Sequence, residues 1–485
     1  MISKNMPVYI VTLLVAGILT LYFRSNPFIN HHINKDYALL IVLVSLIPTI
    51  SYLWQLRKPR RRAAPIPFLP LVGIAYAMYY GVPALTGDEF EIRFSVLPDE
   101  CVNEALKLAL IGWIMLLSGF YGSARIFSGI RPLQLHWKIK KAQTFAYIFI
   151  FTGLAMRVVK PVLNIGSMGQ ILEFIITLFD VGLGILIVLN MRNLLKPFSR
   201  VLLWFGLVPY FVVSSLGTGL TSSFILANLY IFMLVWACMK RLPWAAIALL
   251  IVVAVLIRGS IFEYREKIWY ETTGPKKNSL EKTQILFDII TEKIESEGAL
   301  SILSESSDTT SKRSSMLSTF AYVLQASPSQ IPYWNGSTYN SLLSSFIPRV
   351  LWPNKPSKDL GQRFGHVYYF LDDKDTSTSV NLPQLVEFYV NFGPTGVIVG
   401  MFLLGLIYRV LYRKINHAEM GDGTVVIAAL IFRNLMNIES DFSLVFGLII
   451  QHIIIMSILF RIIREKHPHE SSYGPEFHTV QRQSP

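Results

Sequence analysis

Charged side chains are scarce in this chain. They make up 15% of its 485 residues, whereas hydrophobic residues make up 52%, and the mean hydropathy is +0.46. A soluble domain carries about 25% charged residues, so the composition excludes an ordinary soluble protein. Because a chain this apolar satisfies its backbone polar groups inside lipid, we expect several membrane-spanning helices.

Cysteines and recognisable catalytic motifs are also few. The two cysteines, Cys101 and Cys238, fall on opposite membrane faces in the topology predicted below, so we expect no disulfide. Their spacing excludes a cysteine-based metal site, and the sequence contains no HExxH, GxSxG or Walker pattern. We therefore expect neither a metal nor a cofactor, and any chemistry must come from cations and a single base.

Runs of roughly 20 apolar residues predict an all-α polytopic membrane protein with about twelve transmembrane helices. The first run has no convincing cleavage site after it, so we interpret it as an uncleaved span. The predicted spans are 7–23, 37–55, 65–86, 103–122, 142–159, 169–190, 201–217, 221–239, 242–260, 392–411, 424–437 and 442–462. The predicted regions are an N-terminal bundle at 1–260, a long polar loop at 261–391, C-terminal spans at 392–463 and a tail at 464–485.

Basic residues are concentrated in alternate loops. The clusters lie at 57–62, 125–141, 192–200 and 413–414, and the intervening short loops are poor in Lys and Arg. This pattern predicts that both termini are cytoplasmic and that the 261–391 loop lies on the outer face. It also accounts for the net charge of +13, so the lipid bilayer is the expected partner and nucleic acid is not.

The outer loop carries helical signals of its own. Asn278 followed by Glu281 is typical of a helix start, and Gly298 is a helix stop signal. Met316 to Ala326 is apolar and is predicted to lie along the membrane surface.

Five cations are predicted near the outer membrane boundary, where the positive-inside rule disfavours them. Three lie near span ends and two in the loop: Arg157, Arg258, Arg433, Arg349 and Lys355. If they converge they form a diphosphate clamp, since Arg offers a planar fork of donors and Lys a mobile charge. Alternatively each snorkels or pairs locally, with Asp180 for Arg157 and with Glu439 and Asp441 for Arg433.

Glu387 is the acid that we single out. A carboxylate flanked by Val386 and Phe388 is partly desolvated, which suits a proton acceptor. It equally fits an acid favoured at a helix start by the macrodipole. The candidate acceptor- and sugar-binding side chains are Trp352, Tyr389 and His366. His366 is also a candidate base, although a lone loop histidine is more often not one.

Two motifs between residues 345 and 396 carry a resemblance to a known family. They are Pro348-Arg349 with Trp352-Pro353-Asn354-Lys355-Pro356, and Glu387-Phe388-Tyr389-Val390-Asn391-Phe392-Gly393 leading into a span. With these motifs, many spans and one long outer loop, the chain resembles the O-antigen polymerase (Wzy) family, also called oligosaccharide repeat-unit polymerases. The other spans are similar only in hydropathy.

The resemblance implies a GT-C-type, lipid-facing glycosyltransferase in the bacterial cytoplasmic (inner) membrane. Such an enzyme moves a growing glycan from undecaprenyl diphosphate onto a newly flipped lipid-linked repeat unit, without a metal or a nucleotide sugar. The resemblance implies catalytic roles for Arg349 and Glu387. It also implies a separate chain-length regulator protein as a partner.

Two other functions stay open on the sequence alone. An O-antigen ligase shares the architecture but gives the glycan to a lipid A core. A polysaccharide flippase or exporter would place its charges near mid-membrane, along discontinuous helices. The predicted cations lie near one face, which favours surface chemistry over translocation.

Overall fold

Among the residues that the structure describes, the fold is helical apart from one very short hairpin. The computed structural model describes residues 33–56, 65–86, 91–92, 95–160, 169–216, 221–239, 260, 263–264, 266–270, 279–298, 316–340, 342, 352, 359–376, 378–418 and 420–463. The helices are α1 Lys35–Ser45, α2 Ile47–Leu56, α3 Phe68–Tyr76, α4 Val82–Thr86, α5 Asp99–Gly122, α6 Ile139–Val159, α7 Gly169–Met191, α8 Pro197–Val201, α9 Val208–Leu216, α10 Thr221–Met239, α11 Ser279–Glu297, α12 Met316–Ala326, α13 Leu360–Val367, α14 Gln384–Ile415, α15 Asp422–Leu435 and α16 Phe442–Ile463. Short π-helical turns cover Ala77–Gly81, Leu202–Leu207 and Glu266–Tyr270, 3₁₀ turns cover Ile126–Gly129 and Ser337–Tyr339, and strands β1 Glu91–Ile92 and β2 Ser95–Val96 pair antiparallel.

Nine helical segments among the described residues are long and apolar enough to cross a membrane. They are Lys35–Leu56, Phe68–Leu85, Asp99–Gly122, Ile139–Val159, Ile171–Met191, Pro197–Leu216, Thr221–Met239, Gln384–Ile415 and Phe442–Ile463. Nine of the predicted spans are thereby confirmed. The predicted spans 7–23 and nearly all of 242–260 lie outside the described residues, as does the tail from residue 464.

The predicted span 424–437 is a shorter helix than expected. Helix α15 has 14 residues, which at about 1.5 Å per residue is close to 21 Å and less than the hydrocarbon thickness. All of its residues except Arg433 and Asn434 are buried. It is therefore enclosed by its neighbours, and this explains how a short segment carries Arg433 into the bundle.

Helix α14 contains a sharp break that divides it into two pieces. The backbone leaves helical geometry at Phe392 (φ −140°, ψ 15°) and Gly393 (φ 62°, ψ −151°), directly before Pro394. A Cβ placed on Gly396 or Gly400 would collide with Phe388, so the 384–391 piece folds back against the span that follows. The predicted boundary between outer loop and C-terminal spans, at residues 391–392, coincides with this break.

The break frees backbone groups, and the outer loop satisfies them. The Trp334 N–H donates to the Val390 carbonyl at 2.9 Å, and the Asn335 N–H donates to the Asn391 carbonyl at 3.2 Å. Because buried carbonyls require partners, residues 334 and 335 complete the end of the 384–391 piece.

Basic loops meet at one end of the bundle. Arg413 donates to the Ser128 carbonyl at 3.1 Å, and Lys414 donates to the Arg131 carbonyl at 3.1 Å. The outer-loop contacts of Asn391 lie at the opposite end of α14. The loops predicted to share the basic face are thus neighbours, while the assignment of that face to the cytoplasm stays a prediction.

The two predicted loop helices are both present. Helix α11 ends where Gly298 (φ 81°) donates its N–H to the Ile294 carbonyl at 3.0 Å, as its stop signal predicts. Helix α12 packs against α5 and buries Leu317 and Phe320, and its position along the membrane surface stays a prediction. Its apolar face is therefore covered by protein.

Candidate functional site

Two arginines from different helices share one carboxylate inside the bundle. Arg433 of α15 donates from Nη1 to Asp180 Oδ2 at 2.7 Å, and Arg157 of α6 donates from Nη2 to Asp180 Oδ1 at 3.4 Å. Arg157 also donates from Nη1 to the Ser214 hydroxyl at 3.1 Å. We call the three charged side chains, Arg157, Asp180 and Arg433, the intramembrane ion network.

Aromatic rings hold both guanidinium groups in place. The Arg157 guanidinium carbon lies 4.7 Å from the Phe179 ring centroid, and that of Arg433 lies 5.1 Å from the Tyr230 centroid. The Tyr230 hydroxyl donates to the Asp180 carbonyl at 2.9 Å. Cation–π contacts of this kind add stabilisation when the cation is desolvated, so the network is fixed by packing as well as by charge.

The carboxylate of the intramembrane ion network lies well inside its helix. Lys160 pairs with Glu173 where the ends of α6 and α7 adjoin. Asp180 follows Glu173 by seven residues, so it lies about 10 Å further along the axis of α7. Asp180 is thus near the middle of the Ile171–Met191 span. The Arg157 backbone lies in the last turn of α6, but its long side chain reaches toward the interior.

Two of the predicted cations therefore converge, and their partner is Asp180. The predicted pairing of Arg157 with Asp180 is confirmed. For Arg433 the sequence indicated Glu439 and Asp441, but its carboxylate partner is Asp180. Asp441 instead accepts the Leu444 N–H at 2.8 Å.

The ion network has an excess positive charge. Two guanidinium groups and one carboxylate sum to +1, and the side chains retain exposed fractions of 22% for Arg157, 15% for Arg433 and 11% for Asp180. A charged group at mid-membrane costs on the order of 3 kcal/mol on insertion scales, which makes it a functional candidate. The arrangement suits an anionic ligand.

His452 borders the network and was missed by sequence reasoning. It is 5% exposed, and its Nδ1 lies 3.0 Å from the side-chain nitrogen of Asn434, the residue after Arg433. Apart from Gln451 it stands in an apolar run, and its partner Asn434 is distant in sequence, so nothing local signals this contact.

A second cluster, the outer junction, surrounds Glu387 at the outer-loop end of α14. Glu387 is fully buried, and its Oε2 accepts the Phe442 N–H at 2.6 Å. Asn391 donates from Nδ2 to the Thr338 hydroxyl at 2.9 Å and to the Glu387 carbonyl at 2.8 Å, while its Oδ1 accepts the Gly336 N–H at 2.8 Å. The junction ties the outer loop, the short piece of α14 and the start of α16 together.

The other predicted site residues lie in different settings. Tyr389 is 4% exposed, and its hydroxyl donates to the Ser327 carbonyl at 3.2 Å. Trp352 is 40% exposed, and His366 is half-buried on α13. Arg258, Arg349 and Lys355 lie outside the described residues.

Arg363 is a further cation beside the outer junction. Its guanidinium carbon lies 4.4 Å from the Trp334 ring centroid, and its Nη1 is 3.4 Å from the Ser337 hydroxyl. The sequence offers one signal for it, since Arg363 stands three residues before His366. Within the described ranges, no group of three or more His, Cys, Asp or Glu side chains is arranged to hold a metal ion.

These features define a polytopic helical membrane protein with a charged network inside its bundle. Residues 84–468 match the family described as a domain of unknown function, DUF8712. The match covers well over half of the chain, so the protein belongs to this family. No curated protein and no solved structure matches the chain.

Proposed function

We propose that this protein polymerises undecaprenyl-diphosphate-linked oligosaccharide repeat units into a surface polysaccharide at the outer face of the bacterial cytoplasmic membrane. The observation that carries the proposal is the convergence of Arg157 and Arg433 on one carboxylate, with one positive charge in excess. A lipid-linked diphosphate is an anion tethered to the bilayer, and in this proposal it enters between the helices to reach these two cations. The motif resemblance supplies the substrate class.

The excess positive charge suits the chemistry of glycosyl transfer from a lipid diphosphate. The acceptor hydroxyl oxygen bonds to the anomeric carbon as the bond from that carbon to the diphosphate oxygen breaks. Negative charge grows on the departing undecaprenyl diphosphate, and the hydroxyl proton passes to a base. Cations held in advance stabilise that growing charge more than the ground state.

Both guanidinium groups have donors to offer beyond the described contacts. Each carries five N–H groups, and Arg157 Nε has no hydrogen-bond partner within the described part of the chain. Arg157 and Arg433 therefore bind phosphate oxygens in this proposal while Asp180 holds them in register. The motif resemblance adds Arg349 as a catalytic residue.

Glu387 fits the role of base less well than the sequence indicated. A general base must come within hydrogen-bond reach of the proton that it accepts, whereas the Glu387 carboxylate is fully buried and bonded to a backbone N–H. Its role is argued separately below.

The direct test is elongation of a purified lipid-linked repeat unit by the purified protein in detergent. Arg433→Gln should lower the rate about 10²-fold or more, by analogy with the loss of one oxyanion donor. The matched control is Arg192→Gln, which breaks a second Arg–Asp pair, Arg192 with Asp422 at 3.0 Å, away from the network. Equal activity of the Arg433 variant and the control would remove the assignment.

A flippase or exporter is the second candidate, and two observations favour it. Asp180 lies near mid-span rather than at one face, and α14 is broken at Phe392 and Gly393, as in transporters with discontinuous helices. The two functions separate by experiment, because elongation proceeds in detergent micelles whereas translocation needs sealed vesicles. Movement of lipid-linked oligosaccharide across vesicles without elongation in micelles would favour the second candidate.

A further inference from the structure

We infer that Glu387 is a positioning residue: its carboxylate holds the first turn of α16 and, through that turn, the surroundings of Arg433. Its role depends on accepting a hydrogen bond and not on accepting a proton. The activity arm of this inference rests on the proposed function, and the stability arm does not.

The carboxylate sits where a helix start needs an acceptor. The first N–H groups of a helix have no partner inside it, and the dipole gives that end partial positive charge. Phe442 is the first residue of the 22-residue α16, and its N–H donates to Glu387 at 2.6 Å, while Asp441 accepts the Leu444 N–H at 2.8 Å. One acid near in sequence and one distant acid thus share the cap.

Glu387 is itself held from the other side. Its carbonyl accepts from Asn391 at 2.8 Å, and Asn391 is bonded to Thr338 at 2.9 Å. The Ser443 hydroxyl then donates to the Thr338 carbonyl at 3.1 Å. Hydrogen bonds therefore connect the 384–391 piece of α14, the outer loop and the first turn of α16 in a ring, and Glu387 is a member of that ring.

The start of α16 is connected to the ion network. Arg433 lies in the last turn of α15, and the connection to α16 passes Ile438, whose carbonyl accepts the Gln384 N–H at 3.4 Å. Helix α16 also carries His452, which contacts Asn434. Displacement of the first turn of α16 would therefore shift the α15–α16 connection that follows Arg433 and also the His452 contact to Asn434. The position of the Arg433 guanidinium would change, and the affinity of the site for an anion would fall.

Three variants separate capping from proton transfer. Glu387→Gln keeps a side chain of the same length with an oxygen that accepts the Phe442 N–H, but it cannot serve as a base. Glu387→Asp keeps a carboxylate that is one methylene too short, and Glu387→Ala removes both. Glu439→Gln is the control, because the Glu439 carboxylate lies nearby and accepts from the Tyr79 hydroxyl at 3.4 Å.

We expect Glu387→Gln to elongate at close to the wild-type rate, with an unchanged KM and an unchanged acid limb of the pH–rate profile. Glu387→Ala should raise the KM for the lipid-linked substrate about 2- to 30-fold, the factor that corresponds to the free energy of losing a helix cap. The KM of Glu387→Asp should lie between those of the wild type and Glu387→Ala. A loss in kcat of about 10²-fold or more in Glu387→Gln, with KM unchanged and Glu387→Asp active, would overturn the inference in favour of a base.

Measurements of protein stability test the capping role of Glu387 even if the protein has no elongation activity. Thermal unfolding of the detergent-purified protein should give Glu439→Gln a midpoint like that of the wild type, and the lowest midpoints to Glu387→Asp and Glu387→Ala. The Glu387→Gln midpoint should lie between these, because its amide nitrogen takes the buried position of Oε1, which has no hydrogen-bond partner in the described part of the chain. A Glu387→Gln midpoint as low as that of Glu387→Ala would reject the capping role. An inactive wild type would reject the proposed function alone.

Discussion

Arg433 and Arg157 lie on different helices and donate to the two oxygens of a single carboxylate, that of Asp180, at 2.7 and 3.4 Å. The carboxylate therefore fixes the separation of the two guanidinium groups. A site built this way presents two cations at a set spacing, and removal of the acid should affect both cations at once.

Replacing Asp180 should be more damaging than replacing either arginine. Asp180→Asn leaves two mostly buried guanidinium groups beside each other, and an uncompensated buried charge costs about 3–5 kcal/mol. We expect a lower yield of monodisperse protein and a lower thermal midpoint. The measurement is thermal unfolding in detergent, with Asp422→Asn as the matched control from the other Arg–Asp pair.

A double-mutant cycle then tests the network as a unit. Arg157→Gln in the Asp180→Asn background removes one of the two repelling cations. The free energy of unfolding of the double variant should therefore be about 0.5–3 kcal/mol higher than the sum of the two single effects predicts. Strict additivity of the thermal midpoints would show that the two side chains do not interact in solution.

Hydropathy predicted most of the fold. Nine spans, the α11 helix and its stop at Gly298 follow from apolar runs and local capping signals, which depend on neighbours within a few residues. Hydropathy places a backbone, however, and not the end of a long side chain. Arg157 starts near a helix end, as predicted, and its side chain reaches Asp180 near mid-span, which is the pairing that the sequence offered as its alternative.

The candidate site was only partly predictable because its partners are distant in sequence. Glu387 is bonded to Phe442 on another helix, and no local pattern indicates that pairing. The string Phe392-Gly393-Pro394 correctly indicated where a span begins, but nothing in it indicates that residues 384–391 fold back against that span. Arg349, chosen by motif, lies outside the described residues, so its role stays a prediction.

Elongation should require Arg349 and, in particular, the planar geometry of its guanidinium group. Arg349→Ala should abolish elongation while the protein still inserts and accumulates, and Arg349→Lys should also fail if a planar fork is required. The readout is polymer length in cells, with membrane abundance measured alongside. Normal-length polymer from Arg349→Ala would remove its catalytic assignment, and full activity of Arg349→Lys would indicate that charge alone suffices.

Asn391 should be the most sensitive uncharged residue of the outer junction. It is fully buried, and its amide makes hydrogen bonds to Thr338, Glu387 and Gly336. Asn391→Leu should destabilise the protein by about 1–3 kcal/mol for each partner left buried and unsatisfied. Asn340→Leu, at an exposed asparagine of the same loop with ordinary helical backbone (φ −58°), is the control and should leave the thermal midpoint within a degree or two of wild type, at about the scale of a surface substitution.

Gly393 should tolerate no side chain, for two separable reasons. Its φ of 62° with ψ of −151° is a conformation that is essentially restricted to glycine, and strain there costs on the order of 1–3 kcal/mol. An added Cβ would also lie 2.7 Å from the Tyr333 hydroxyl. Gly393→Ala should therefore lower the thermal midpoint and loosen the fold-back of the 384–391 piece, measured as faster amide exchange at 384–391. Because the added Cβ would lie 2.8 Å from the Tyr333 ring carbon Cζ as well, the steric part is removed by Tyr333→Ala and not by loss of the hydroxyl alone. Measured against Tyr333→Ala alone, the double variant should recover only the steric part, since the backbone strain persists. Complete recovery in the double variant would show that the backbone conformation at Gly393 carries no cost, and an unchanged midpoint in Gly393→Ala alone would show that the break does not have this geometry.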